Sequence, residues 1–316
     1  MWKDERMVEA GKKAHLTKLR NQGRQREAEE YMKQMGIKKG AETLTGTISR
    51  QIAEQTTKTK AVKVKYDVPV EFNPVAGLPW VEKYRPISLT FLSGAVGPYL
   101  RAFVKTDSIP LALVFWGDYG QGKTAGAGAL VRDYYVMRGV FKAEATFKDV
   151  INGSKWTSTY EGCWPPVLYV DLAQLKFDVE MVREKVMLFM RVRSMWNPMG
   201  LKLKKYVIFD EADRLSYAAQ GALRSLLERY PGTVTIYTTN RIESIDPAII
   251  SRASGGIFEF KKPSAEELET LLEWVLHCEG LKLKKKTIEE IAVASVSARD
   301  AVGKLQQECA LVMANV

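Results

Sequence analysis

Cysteine is scarce in this chain, and long apolar runs are missing from it. The three cysteines among 316 residues, Cys163, Cys278 and Cys309, lie far apart with no CxxC spacing. That argues against a zinc site or a disulfide framework and suits a reducing compartment. No stretch approaches the roughly 18 apolar residues that a membrane-spanning helix needs. The opening MWKDERMVEAGKK has no apolar centre of the kind a secretory signal requires. No internal repeat is visible. The composition is that of a soluble globular protein, and the length allows one large α/β domain plus a smaller one.

The net charge of +10 is unevenly placed. Residues 1–65 hold 16 Lys and Arg against 8 Asp and Glu, whereas the remaining residues hold 31 against 29. Basicity is therefore a property of an N-terminal arm. Such an arm suits nucleic acid phosphates or an acidic partner, or it is a solvated, partly helical tail with no target.

Residues 1–35 are rich in helix formers, and 36–65 show no period and read as flexible. The first segment is thus 1–66, a basic arm, followed by a linker over 67–79 with three prolines. From Trp80 the pattern alternates in the α/β manner. Strands are expected at 111–116, 167–172, 206–210, 233–239 and 256–260, with helices over 123–137, 179–192 and 215–228 between them. LALVFW, 111–116, is a short continuous apolar run, the mark of a buried parallel strand. An ATPase domain over 80–262 with an insertion at 138–166, which holds Trp156 and Trp164, would be followed by an all-helical lid over 263–316. The lid opens on a Ser-x-x-Glu capping box at Ser264 and Glu267, with further helices near 287–295 and 298–314.

GDYGQGKT, residues 117–124, matches G-x-x-x-x-G-K-[ST] between a strand and a helix, the context that gives the motif its meaning. Gly117, Gly120 and Gly122 allow the backbone, with Asp118, Tyr119 and Gln121 between them, to curl its N–H groups toward phosphate oxygens. The helix that follows, entered through Ala125, turns its positive end to the same charge. Lys123 reaches the β- and γ-phosphates and Thr124 offers a hydroxyl to Mg2+. VIFDEAD, 207–213, delivers Asp210 to a strand end to hold Mg2+ through water and places Glu211 to activate the attacking water. Asp213 and Arg214 read as capping or solvated residues. Asn240, closing the TTN of the fourth strand, is placed either to position that water or to serve as a turn residue. The cofactors are ATP and Mg2+.

On these residues the chain resembles an AAA+ ATPase of the clamp-loader group, similar to the replication factor C small subunit, from Trp80 to about Gln306. PWVEKYRP, 79–86, is similar to the segment that lines the adenine pocket, which implies that Val81, Tyr84, Arg85 and Pro86 lie at or near the base. AQGALRSLLERYP, 219–231, resembles the helix after the second ATP motif. SRA, 251–253, resembles the signature whose arginine reaches the neighbour's ATP, and ARDAVGKLQ, 298–306, a lid motif. The resemblance implies that Arg252 acts in trans as an arginine finger and Arg299 in cis on the γ-phosphate. A planar, always-charged guanidinium suits a transferring phosphoryl group.

Departures accompany the likeness. DYGQ stands for the usual PPGT, Ala253 for Cys, and Val296-Ser297 for Gly-Asp. The chain ends soon after the lid, where such subunits continue into a helical collar. The resemblance implies a subunit that helps open a sliding clamp and load it onto primer-template DNA during replication. Its partners would be other clamp-loader subunits in a ring-like oligomer, the clamp and DNA, with Arg183 and Arg224 facing the duplex backbone and no membrane. Its location would be the cytoplasm of a prokaryotic or viral replication site, or a eukaryotic nucleus. The alternatives are an AAA+ regulator or helicase loader that assembles on DNA, and a nucleotide-binding switch with little turnover.

Overall fold

The computed structural model describes residues 77–92, 94–146, 149–150, 167–173, 179–191 and 203–314. The basic arm, most of the linker and the larger part of the 138–166 connection, with Trp156 and Trp164, lie outside them.

Five strands form one parallel sheet: β1 (Ala112–Trp116), β2 (Val167–Asp171), β3 (Lys205–Asp210), β4 (Thr233–Thr239) and β5 (Ile257–Glu259). Their order is β2-β3-β4-β1-β5, and every pairing is parallel. The central strands β1 and β3 carry continuous apolar runs, as parallel strands covered on both faces do. β4, TVTIYTT, interleaves threonines with apolar residues and is still buried along its whole length. β5 is a short, half-buried edge strand.

On one face, side chains from alternate strand positions (Phe115, Tyr206, Ile208, Val234, Ile236) pack with Leu100 and Val104 of α2 (Val96–Thr106) and with Leu130, Val131 and Tyr134 of α3 (Lys123–Met137). The other face is represented by Phe209 and Tyr237, directly paired across β3 and β4, whose rings stack 5.2 Å apart. After β2 a helical run, α4, passes from Val179–Met181 through π-helical Val182–Val186 to Met187–Arg191. α5 (Tyr217–Arg229) and α6 (Pro247–Arg252) follow β3 and β4.

The last three helices, α7 (Ala265–Glu279), α8 (Lys285–Ala294) and α9 (Ala298–Ala314), enclose their own apolar cluster around Leu268, Leu272, Ile288 and Leu305. Ser264 and Glu267 make both hydrogen bonds of the capping box. The short α1 (Trp80–Lys83) precedes the sheet in the chain but packs on this lid: Tyr84 is part of its cluster and Trp80 and Val81 lie against it. Lys83 and the Tyr84 hydroxyl both bond Glu279 of α7, each at 2.7 Å.

The sequence pattern misses α1, α2 and α6. In α2 a Gly97-Pro98 pair reads as a break, yet it falls in the first turn, where a missing N–H costs no helical hydrogen bond. Pro247 begins α6 in the same way, under an Asp246 cap.

Candidate active site

β1, β4 and β3 stand side by side, and a cleft of about 300 Å³ opens at their C-terminal ends. In open parallel sheets this is where ligands sit. β1 runs out at Trp116, and residues 117–122 turn the chain into α3, whose first residue is Lys123. Gly117 has φ 141°, and a Cβ there would lie 2.3 Å from the Phe260 carbonyl oxygen. Only glycine serves at that bend.

Lys123 is buried. Its ammonium donates to the carbonyl oxygens of Gly117 and Asp118, at 2.8 and 2.6 Å, and to Asn240 Oδ1 at 2.8 Å. Burial lowers its pKa below the ordinary lysine value, opposed by Asp210, Asp118 and Asp213 and assisted by Arg299. Because β4 lies between β1 and β3, its last turn brings Asn240 onto the lysine.

Asp210, at the end of β3, accepts three hydroxyl hydrogen bonds. Thr124 and Thr238 donate to Oδ1 at 2.7 and 2.5 Å, and Tyr169 of β2 donates to Oδ2 at 2.7 Å. Burial, then the Asp210 charge, raises the Tyr169 pKa far above the ordinary value, so its hydroxyl stays a donor. Thr124 gives its proton to Asp210 and keeps its lone pairs for a cation. Among the described residues, no group of three or more His, Cys, Asp or Glu is placed to hold a metal. One carboxylate beside a hydroxyl and a phosphate cradle is instead the hard-oxygen donor set that fits Mg2+ completed by substrate oxygens.

Glu211 has φ 57°, a left-handed conformation rare outside glycine, and its N–H donates to Thr238 Oγ1 at 3.1 Å. The turn swings its carboxylate out of the strand line and into the lining of the cleft. Arg214 Nε pairs with that carboxylate at 2.7 Å. Arg214 is therefore a partner of Glu211 and does not cap the next helix, whose N-cap is Ser216. Asp213 accepts from the Thr239 hydroxyl at 3.3 Å.

Arg299, on the first turn of α9, lines both the cleft and a smaller apolar slot. The slot is walled by Val81, Tyr84 and Pro86 together with Phe91, Trp274 and Val302. Tyr84 meets the Trp274 ring edge-on at 5.5 Å, and Phe91 stacks on it at 5.7 Å. Arg85 is not in the slot. It lines the larger cleft instead, with Thr124 and Tyr169.

The remaining loop residues divide. Ala125 and Tyr119 line the cleft, with Tyr119 at its exposed mouth, and Asp118 is exposed. Gln121 turns away from the cleft and is buried, donating to the Val296 carbonyl oxygen at 3.0 Å. Arg252, at the end of α6, lies outside the cleft. It donates to the Ala248 carbonyl oxygen at 2.7 Å and pairs with Glu228 of α5. Arg183 and Arg224 are both exposed.

The profile of the "ATPase family associated with various cellular activities (AAA)" matches residues 113–259, the span that carries the P-loop, Asp210, Glu211, Asn240 and Arg252. Those residues are an AAA ATPase domain. The chain is 31% identical over 232 residues to the replication factor C small subunit of Methanocella arvoryzae, covering 72% of this chain and 62% of that protein. It is 30% identical over 241 residues to replication factor C subunit 3 of Saccharomyces cerevisiae, covering 75% and 62%. The chain thus spans less than two thirds of the length of these curated relatives. A mutant of the Thermotoga maritima RuvB protein superposes on the AAA fold with a TM-score of 0.53 at 16% identity, covering 74% of this chain and 68% of that one, a likeness of fold alone.

Tyr169, Thr238, Phe91 and Trp274 were not singled out by the sequence. Thr238 sits inside the TTN run already under notice. Phe91 and Trp274 are far apart in the chain, and a tyrosine in a buried strand reads as core until the register sets it beside Asp210.

Proposed function

We propose that this AAA domain binds ATP with Mg2+ and hydrolyses it as one subunit of a clamp loader, a ring-like oligomer that opens a sliding clamp and loads it onto primer-template DNA. The observation that carries the reading is the convergence of Lys123, Asp210, Glu211, Asn240 and Arg299 on one cleft beside an apolar slot of base-stacking side chains. Similarity to replication factor C subunits along most of the chain supports the clamp-loading role.

In this reading the adenine lies in the slot between Val81, Tyr84 and Pro86, and Arg85 faces the phosphate end. The loop N–H groups from Gly117 to Thr124 hold the β-phosphate, and Lys123 neutralises the β- and γ-phosphates. Thr124 and Asp210 hold Mg2+, which when bound supplies further charge neutralisation. Glu211 takes a proton from water as its oxygen bonds to the γ-phosphorus. The bond to the bridging oxygen breaks, leaving ADP and phosphate. Asn240 orients the water, and Arg299 meets charge developing on the transferred group. Arg252 serves the neighbouring subunit's site, so hydrolysis reports assembly. The protein acts where DNA is replicated.

The test is ATP turnover by the full chain with its partner subunits, the cognate clamp and primed DNA. Turnover stimulated by clamp and primed DNA together is expected. Turnover that neither ligand changes would refute clamp loading, and absence of turnover in the complete assembly would refute the ATPase assignment.

A further inference from the structure

Asp210 is held by an unusually complete set of hydroxyls, and one of them comes from a strand with no other part in the site. A carboxylate has about four acceptor positions, two on each oxygen. Oδ1 takes protons from Thr124 and Thr238, at 2.7 and 2.5 Å. Oδ2 takes one from Tyr169, at 2.7 Å. Oδ1 is thereby filled, and Oδ2 keeps one acceptor position, on the side where Tyr169 does not stand.

The sheet dictates this. In the β2–β3 ladder Tyr169 is the partner of Ile208 and Asp171 the partner of Asp210. Tyr169 therefore lies one same-face step short of the acid, and a tyrosine is long enough to span the diagonal to its carboxylate. A phenylalanine would fill the same space and lose the bond.

We infer that Tyr169 is a positioning residue for the divalent cation. Its hydroxyl fixes the rotation of the Asp210 carboxylate, so that the single open acceptor on Oδ2 faces the cation's water shell beside the Thr124 lone pairs. Without that hydroxyl, Oδ2 has two open acceptors and the carboxylate plane is free to rock about the two threonine bonds. Outer partners that orient metal-holding groups typically matter 10- to 100-fold in metal affinity. This inference rests on the nucleotide reading of the cleft.

The experiment compares the full chain with Tyr169→Phe by binding of a fluorescent ATP analogue, first in EDTA and then in stepwise Mg2+. Thermal melts run alongside. The expected result is an unchanged melt, an unchanged affinity in EDTA, and a Mg2+ midpoint raised roughly 10-fold in the variant. Mn2+ binding followed by electron paramagnetic resonance in the presence of nucleotide should weaken in parallel. An unchanged Mg2+ midpoint overturns the inference while leaving nucleotide binding standing. So does a loss of affinity that is equal with and without Mg2+, since that would mean Tyr169 only shapes the cleft. Failure of the unaltered chain to bind the analogue at all overturns the nucleotide reading, and this inference with it.

Discussion

Gln121 of the P-loop donates its side-chain amide to the carbonyl oxygen of Val296, 3.0 Å away, and so ties the phosphate loop to the turn that leads into α9. The contact has a second half. Ser297, the next residue, is buried, and its Oγ lies 2.6 Å from where a Cβ on Gly120 would be. Two places where the chain departs from the clamp-loader pattern, Gln121 and Val296-Ser297, are thus packed against each other. Arg299 is only two residues beyond.

Gln121→Ala should therefore loosen the loop from the lid. The stability change should be small, below about 1 kcal/mol, because one hydrogen bond is lost while the buried Gln121 Oε1, unpartnered among the described residues, is also removed. Release of a fluorescent nucleotide in stopped flow should quicken several-fold. An unchanged release rate would mean that the tie does not restrain the lid.

Gly126→Ala tests packing against propensity. Alanine in place of a helix-interior glycine ordinarily gains about 0.5–1 kcal/mol. Here the new Cβ would lie 2.9 Å from two ring atoms of Phe260. Overpacking of a filled core costs about 1–3 kcal/mol, so the variant should melt lower. Adding Phe260→Leu should recover part of the loss, and chemical denaturation of the single and double variants reads it.

Tyr206 is fully buried, and its hydroxyl has no partner among the described residues. Tyr206→Phe should raise stability by about 1 kcal/mol, since it removes an unsatisfied polar group without changing the ring. The pH dependence has a definite sign. Burial raises the Tyr206 pKa well above the ordinary value of about 10. The neutral hydroxyl is favoured in the fold, so its contribution is intact below about pH 10 and is lost as pH rises through that value. Alkaline unfolding of Tyr206→Phe should begin at a higher pH, as circular dichroism would record.

Glu211→Gln and Arg252→Ala separate the two sides of the site. Glu211→Gln should lower kcat by roughly 100-fold or more while leaving nucleotide affinity near that of the parent, because a positioned base is lost and the cradle is not. Arg252→Ala should leave nucleotide binding by the isolated chain unchanged and lower turnover of the assembly on the order of a thousandfold. Equal loss in the isolated chain would place Arg252 in its own subunit's site.

Much of this was legible in the chain itself. The apolar runs of β1 and β3 are continuous because parallel strands covered on both faces favour apolar residues on both sides, and that pattern shows without coordinates. The P-loop is contiguous, and its glycines and Lys123-Thr124 carry their meaning in local spacing. The capping box at Ser264 and Glu267 is likewise a property of four consecutive residues. Harder to see was α2, where a Gly-Pro pair imitates a break.

Only the tertiary structure decided what lies beside what. The strand order put Asn240 onto Lys123 and set Tyr169 and Thr238 on Asp210, through contacts that span 117, 41 and 28 positions of the chain. It turned Arg85 into the larger cleft, paired Glu211 with Arg214 and brought Phe91 against Trp274. Local spacing records turns, caps and the faces of helices, because those interactions reach only a few residues. Register between distant strands and packing between helices are settled by burial of the whole core, and no short stretch of sequence contains them.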